Sequence, residues 1–237
     1  MKSKTLLIAA ASLAAGVMAA SAAVYSQNIV GYVNVVLPGN GQYTLIANPL
    51  DDGNGNHSTN ILSAALPGGT AAVRSTLFYY NGGPNNISKL AGGWGSDVQL
   101  PPGVGFYIRN GAPGAGAPDI TNTFVGSVVA NSGTTVTNII LNGFNLLGSK
   151  IPIAGNIANG GTPGGDANLD FGTEIYSIST GAGLSKIQTW NTATQSPQNV
   201  SKIFASGNWG STVSVGVAQG FWLIATSPST NYVQTVP

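Results

Sequence analysis

The chain has 237 residues, of which 6% are charged and none is cysteine, whereas about 25% of residues are charged in an average globular domain. Without Lys2 and Lys4, 8 − 2 = 6 basic residues face 7 acidic ones, so the chain lacks the clusters of Lys and Arg that nucleic-acid binding requires. The absence of cysteine excludes disulfides and a lipidated N-terminal cysteine, while 43% apolar residues are enough to build a core.

The first 23 residues have the pattern of a secretory signal peptide. Two lysines precede an apolar run from Leu6 to about Ala20, and Ala20 and Ala22 have the A-x-A spacing of a cleavage site. The run of roughly 15 residues is shorter than the ~20 that span a membrane. We therefore predict a signal peptide at 1–23, a secreted, periplasmic or cell-surface location, and no membrane span after cleavage.

The remaining chain is divided into short segments by 34 glycines and 13 prolines. Alternating or β-branched residues predict strands at 29–36, 43–47, 77–80 and 105–109. One helix is predicted at 58–66, with Ser58 as its cap and Pro67 at its end. Short strands between frequent turns predict an all-β fold of sandwich or barrel-like modules with one short helix.

Several motifs occur twice in the same order, which indicates a tandem duplication. Trp94-Gly95-Ser96 returns as Trp209-Gly210-Ser211, and 106 − 94 equals 221 − 209, so that a Gly-Phe pair follows each tryptophan at the same distance. The other matched blocks are 86–89 with 199–202, 30–31 with 125–126, and 43–49 with 144–152. We interpret 24–110 as the first β-rich repeat, 111–118 as a Gly/Ala/Pro linker and 119–237 as the second repeat, forming one domain or two.

The order of these motifs resembles a β-rich repeat of bacterial extracellular proteins. The segment 24–35, with the sequence VYSQNIVGYVNV, is similar to the opening of a group of uncharacterised secreted proteins from verrucomicrobia and related bacteria. The resemblance implies an exported, β-rich repeat protein. It supplies neither an activity nor a site residue.

Candidate catalytic groups are few. His57 is the single histidine, and Asp51, Asp52 and Ser58 lie beside it in one glycine-rich loop, whereas the members of a catalytic triad converge from separate parts of a fold. We therefore predict an exposed loop histidine and a protein that is not an enzyme. A secreted glycan-acting enzyme with paired carboxylates stays open, and its candidate residues are Asp97, Asp119, Asp166, Asp170 and Glu174.

One acidic loop has a spacing that suits calcium. Asp166, Asn168, Asp170 and Glu174 place oxygen atoms at alternate positions, as a cation that needs 6–8 oxygen ligands requires. The glycine and the distal glutamate of a calcium-binding loop are missing, and Asx-rich turns form without a metal. We expect no cofactor and keep calcium at this loop as the alternative, with the weaker loop 52–56 beside it.

Aromatic residues are the remaining candidates for recognition. Trp94 and Trp209 would bind a carbohydrate if their rings are exposed in a neutral groove, but repeated aromatic positions are more often packed in a core. We predict an exported, non-enzymatic cell-surface or extracellular-matrix protein with a structural or adhesive role. The alternatives are a carbohydrate-binding module and the glycan-acting enzyme, and the expected partners are a polysaccharide or further copies of the chain.

Overall fold

The computed structural model describes residues 30–166, 169–170, 185–201, 207–226 and 230–235. These residues form antiparallel strands and one short helix. Among the described strands, no sheet closes on itself. The all-β fold predicted from the sequence is therefore confirmed, while the predicted signal peptide at 1–23 lies outside the described residues.

The first half of the described chain contains β1 Val30–Leu37, β2 Tyr43–Ala47, α1 Ser58–Ile61, β3 Thr76–Tyr80, β4 Pro84–Leu90, β5 Gly93–Trp94, β6 Gly105–Arg109 and β7 Ile120–Ser127. The second half contains β8 Thr135–Ile140, β9 Gly143–Leu147, β10 Gly155–Ala158, β11 Leu169–Asp170, β12 Lys186–Asn191, β13 Ser196–Ser201, β14 Val213–Val215, β15 Phe221–Ala225 and β16 Thr230–Thr235. All four strands predicted from the sequence are present. Those at 43–47 and 105–109 have the predicted bounds.

The helix predicted at 58–66 is wrong in its length, because α1 ends at Ile61. The side chain of Asn122 in β7 donates to Ile61 O at 3.2 Å and accepts a hydrogen bond from Ser63 N at 2.7 Å. These bonds satisfy backbone groups that a further helical turn would otherwise use, and Leu62 adopts an extended conformation. A polar contact from a distant strand therefore ends the helix.

The first core lies between the β1·β7 pair and a five-stranded sheet with the order β2-β6-β3-β4-β5. Phe106 of β6 meets Phe124 of β7 in this core, with ring centroids 6.5 Å apart and planes at 80°. The second core lies between a four-stranded sheet, β13-β12-β15-β9, and the three-stranded sheet β11-β16-β8. Phe221 of β15 meets Tyr232 of β16 there, at 5.9 Å and 80°.

The segment 111–118 packs against the first half of the chain. Asn40 N donates to Ala117 O at 2.9 Å, and Gly111 N donates to Ser75 Oγ at 3.0 Å. Strand β7 follows this segment and pairs with β1 along its whole length. In the described sheets, strands β1 to β7 pair with one another and strands β8 to β16 pair with one another. The boundary between the two sets therefore lies within 128–134.

The two large sheets join at one end of their strands through backbone contacts. Ala47 N donates to Ala218 O at 2.9 Å, and Gly148 N donates to Gly103 O at 3.0 Å. Isolated bridges pair Ile46 with Gln219 and Val104 with Leu147. We call this set of contacts the junction.

Two glycines make the junction possible. A Cβ atom on Gly105 would lie 2.6 Å from Leu147 O, and a Cβ atom on Gly220 would lie 2.7 Å from Ile46 O. Any side chain at these positions would force the two sheets apart. The Gly-Phe motif that occurs twice in the sequence thus supplies a close backbone contact and, one residue later, a buried ring.

In the described part of the chain, no helix has the length and apolar character needed to cross a membrane.

Candidate functional site: an aromatic cleft between the two large sheets

Beyond the junction, the large sheets present their aromatic faces to each other. Successive side chains of a strand point to opposite faces, and in the first sheet Leu77 and Ile108 are buried in the first core. Their neighbours Phe78 and Tyr107 therefore point away from that core. In the second sheet, Leu223 is buried in the second core. Its neighbour in β15, Trp222, therefore points toward the first sheet.

The two faces enclose a cleft of about 310 Å³. We call it the aromatic cleft, and its lining residues are Tyr43, Phe78, Tyr79, Tyr80, Pro84, Asn85 and Tyr107 from the first half and Leu146, Trp190 and Trp222 from the second. Carbon atoms form nearly all of its exposed wall. None of these described lining residues has a charged side chain, so they form an apolar, aromatic surface open to solvent.

Edge-to-face ring pairs connect the two walls. Tyr107 and Trp190 have centroids 5.5 Å apart and planes at 89°, and Tyr80 and Trp222 lie 5.3 Å apart at 80°. Such pairs contribute about 0.5–1.5 kcal/mol each beyond the burial of their area. Each pair joins one ring from either half, and the rings are thereby held in fixed orientations.

Both indole N–H groups of the cleft are already hydrogen-bonded within the protein. Trp190 Nε1 donates to Tyr43 O at 2.9 Å, and Trp222 Nε1 donates to the Tyr107 hydroxyl oxygen at 3.1 Å. Burial raises the pKa of Tyr107, an effect that the hydrogen bond from Trp222 opposes. Tyr107 is therefore neutral at physiological pH, and the two indole N–H groups hold the walls of the cleft together.

A side chain from the second half also covers the free edge of β2. Tyr43 N donates to Gln195 Oε1 at 2.7 Å, and Gln195 Nε2 donates to Tyr43 O at 3.2 Å. Gln195 lies in the turn between β12 and β13 with φ at 49°. The Gln195 amide thus makes the two backbone hydrogen bonds that a neighbouring strand would make at this side of the cleft.

The carbohydrate site predicted at Trp209 is wrong. The residue has 0% relative exposure and belongs to the second core, so its ring has no face that could stack on a sugar. Trp94 is partly buried and packs against the first core. The duplicated tryptophans are packing positions, as repeated aromatic residues commonly are, and the carbohydrate role of Trp94 stays a prediction.

The predicted calcium loop is described only in part. Asp166 Oδ2 accepts a hydrogen bond from Asn156 N at 2.8 Å. Asn168, Glu174 and the side chain of Asp170 lie outside the described residues. Within the described ranges, no three His, Cys, Asp or Glu residues gather as a metal-binding group, and calcium at this loop stays a prediction. In the weaker loop, Asp52 Oδ1 accepts from the backbone N–H groups of residues 54 and 56, both at 2.8 Å.

His57 contacts Asp97 through Nδ1 instead of the two aspartates of its own loop. Asp97 also accepts a hydrogen bond from Ser58 Oγ at 3.0 Å, so the carboxylate lies between His57 and Ser58. A catalytic triad requires the histidine in that middle position. Burial would raise the pKa of Asp97, but hydrogen bonds from Thr59 N, Ser58 and His57 and the charge of the imidazole outweigh it and lower the pKa.

Of the carboxylates proposed for glycan hydrolysis, the three with described side chains, Asp97, Asp119 and Asp166, do not line the aromatic cleft. Asp119 Oδ1 accepts a hydrogen bond from Gly39 N at 2.8 Å, and Asp97 and Asp166 have the local partners given above. The described carboxylates thus stabilise loops.

The aromatic cleft itself was not predicted from the sequence. Tyr80 and Tyr107 lie in strands predicted from the sequence, at 77–80 and 105–109, but no pattern within one strand indicates which sheet faces another. A usable signal was the aromatic residue after each Gly-Phe pair, Tyr107 in one half and Trp222 in the other.

Comparisons of the chain with protein-family models, with curated proteins and with solved structures found no match.

Proposed function

We propose that this chain is an exported, non-enzymatic protein of the cell surface or extracellular matrix, with a structural or adhesive role, and that it arose by duplication of one β-rich module. The observation that carries the proposal is the matched set of contacts at the junction. Two modules held together by such contacts make a fixed scaffold instead of two independently moving domains. The resemblance to secreted bacterial repeat proteins is part of the same proposal.

The junction contacts support the duplication because they correspond in pairs. Gly105 approaches Leu147 as Gly220 approaches Ile46, and the two bridges follow the same correspondence. In each contact, the glycine of the Gly-Phe motif in one half meets the end of a strand in the other half. The strand is β9 for Gly105 and β2 for Gly220. A two-fold relation between similar modules produces such a reciprocal interface.

Strand pairing suggests where one module ends. The pair β1·β7 corresponds to β8·β16, and β2-β6-β3-β4 corresponds to β9-β15-β12-β13. The Phe106–Phe124 contact likewise corresponds to Phe221–Tyr232. We propose that the modules meet within 128–134, which places 111–118 inside the first module. Because β1 then corresponds to β8, the sequence match of 30–31 with 125–126 has no counterpart in this arrangement.

The structural or adhesive role is supported by the chemistry of the surface. The chain has 6% charged residues, so its solubility depends on neutral polar side chains, and its association depends little on electrostatic attraction. Export without disulfides is consistent with a fold held by packing and backbone pairing alone.

Cell fractionation tests the proposal directly. The full chain, expressed in a Gram-negative host, should appear outside the cytoplasm with a new N-terminus near residue 23 or 24. A control with Leu13→Arg, which interrupts the apolar run of the leader, should remain uncleaved. Retention of the unaltered chain in the cytoplasm with Met1 intact would overturn the export proposal.

Binding of the mature chain to cell envelopes and polysaccharides tests adhesion. Affinity electrophoresis with and without calcium should show retardation by at least one surface polymer or a self-associated species. Calcium-dependent retardation would support the predicted loop at Asp166. A mature chain that is monomeric and migrates freely through every polymer and past intact envelopes would contradict the adhesive role.

A second candidate function is ligand binding by aromatic side chains. The specific observation in its favour is the aromatic cleft, whose rings are partly exposed and fixed in orientation. The sequence suggested a carbohydrate as the ligand, with Trp94 and Trp209 as its contacts. The cleft supplies a different set of rings for such a module.

A further inference from the structure

We propose that the aromatic cleft is a binding site for a small, uncharged, planar ring compound, such as an aromatic molecule of one or two rings. The inference rests on the ligand-binding candidate above and is independent of export and adhesion.

The size of the cleft sets the size of the ligand. Pockets that bind small molecules have volumes of about 300–1,000 Å³, and the cleft, at about 310 Å³, lies at the lower end of this range. One or two fused rings fit that volume, whereas an oligosaccharide chain would extend beyond it. The lining residues come from both large sheets, so a ligand would contact both modules at once.

The chemistry of the wall favours carbon over hydroxyl groups. Nearly all of the exposed wall is carbon, and the indole donors of Trp190 and Trp222 are bonded to Tyr43 O and the Tyr107 hydroxyl. A sugar would lose water from its hydroxyls against a wall that exposes almost no polar atoms, at about 1–3 kcal/mol for each group left unsatisfied. A charged ligand would lose more. A planar apolar ring avoids both costs.

The ring orientations also suit a planar guest. Trp190 and Trp222 each present an edge-to-face contact to a tyrosine of the first sheet, which leaves the walls lined by rings at steep angles to one another. A guest ring can then stack on one wall ring while meeting the edge of another, the two arrangements that aromatic groups prefer. The Asn85 amide of the lining donates from Nδ2 to Gly83 O at 2.9 Å, so this polar group is also bonded within the protein.

The test is a titration of the mature chain with 2-naphthol and, separately, with the neutral disaccharide cellobiose, followed by calorimetry. We expect saturable 1:1 binding of 2-naphthol and no measurable binding of cellobiose. The variant Leu146→Trp places a larger side chain in the cleft and should weaken 2-naphthol binding at least tenfold. The matched control Tyr32→Ala alters an aromatic residue of β1 that is 73% exposed and lies outside the cleft, so its affinity should equal that of the unaltered chain.

The melting transition of each variant is measured first, and a second cleft variant, Tyr80→Phe, retains the ring and should retain binding. Absence of 2-naphthol binding to the folded chain, or equal binding by Leu146→Trp, would overturn the inference. Binding of cellobiose that Leu146→Trp abolishes would overturn the ligand class while leaving the ligand-binding candidate in place. None of these outcomes bears on the fractionation result, so failure of this inference and failure of the export proposal are separable.

Discussion

Alanine at Gly105 or Gly220 tests the junction that holds the two large sheets together. A Cβ atom on Gly105 would lie 2.6 Å from Leu147 O and 3.0 Å from Leu147 N, and one on Gly220 would lie 2.7 Å from Ile46 O. Ordinary van der Waals contact begins at 3.4 Å. The nearest obstructing atom at each position is a backbone oxygen of a neighbouring strand, so the overlap would remain even if the side chain of Leu45, whose Cδ1 would lie 2.9 Å from the methyl group at Gly220, rotated away.

The expected cost follows from this geometry. Adding a methyl group to a closely packed site costs about 1–3 kcal/mol, and the upper half of that range applies because the nearest obstructing atoms are backbone. Neither glycine has a positive φ, so the cost is steric and not conformational. The double variant should cost less than the sum of the single variants, since the first substitution already separates the sheets at the junction.

Urea unfolding measured by far-UV circular dichroism gives the free energies. Gly31→Ala is the matched control: this residue also lies in a strand, and its added Cβ would meet nothing within 4 Å, so stability should be unchanged or slightly higher. Gly105→Ala and Gly220→Ala as stable as Gly31→Ala would show that the sheets do not approach closely. Loss of 2-naphthol binding in a folded junction variant would connect the junction to the cleft.

Three further variants test other parts of the structure. Trp209→Ala should lower the unfolding free energy by about 3–5 kcal/mol because it empties a fully buried site, whereas Phe144→Ala, at 56% exposure, should cost much less in the same urea titration; equal effects would contradict the core position of Trp209. The pKa of Asp97 is lowered in the folded state, so its contribution to stability is present above about pH 4, the ordinary pKa of aspartate, and is lost as the pH falls through the folded value. The stability difference between the unaltered chain and Asp97→Asn should therefore shrink on acidification, and parallel pH profiles would refute the interaction. Lys89 Nζ donates to Ala64 O at 2.6 Å and Leu66 O at 2.7 Å, so Lys89→Met should destabilise the fold by about 1–3 kcal/mol by leaving carbonyls unsatisfied, while the exposed control Leu90→Met should be nearly neutral.

Local pattern was sufficient to predict the strands but not their arrangement. β2 and β6 were predicted with their observed bounds because alternation and flanking turns are properties of neighbouring residues. The helix at 58–66 was predicted too long because Asn122, which binds Ile61 O and Ser63 N, is remote in sequence. Helix propensity within 58–66 contains no information about that partner.

The candidate site could not be predicted from the sequence because it is formed by contacts between the two halves of the chain. Trp94 and Trp209 were selected because they repeat, yet repetition here reflects packing. Trp190 and Trp222 acquire their role from Tyr43 and Tyr107 on the other sheet. Strand periodicity predicts that such rings share a face, but the close approach permitted by the junction glycines decides which two faces meet.

The covered edge of β2 leads to a prediction about self-association. β2 is an edge strand of the five-stranded sheet, and the amide of Gln195 bonds both backbone groups of Tyr43. Gly220 N, which donates to Leu45 O at 3.2 Å, covers the same edge further along. An uncovered edge pairs readily with another chain.

Gln195→Ala should therefore expose part of this edge and increase the fraction of dimers and larger species in sedimentation velocity, at concentrations where the unaltered chain shows fewer. Gln195→Lys removes the acceptor for Tyr43 N and introduces a charge that opposes edge pairing, so it should be destabilised without associating. Thr194→Ala, an exposed position of the same turn, is the control for the turn itself.

Equal association of the alanine and lysine variants at Gln195 would mean that general destabilisation, and not the uncovered edge of β2, causes the association. Association by Gln195→Ala alone would mean that the native chain protects β2, and any assembly of the unaltered protein must then use another edge, such as β5 or β13 at the outer sides of the two large sheets.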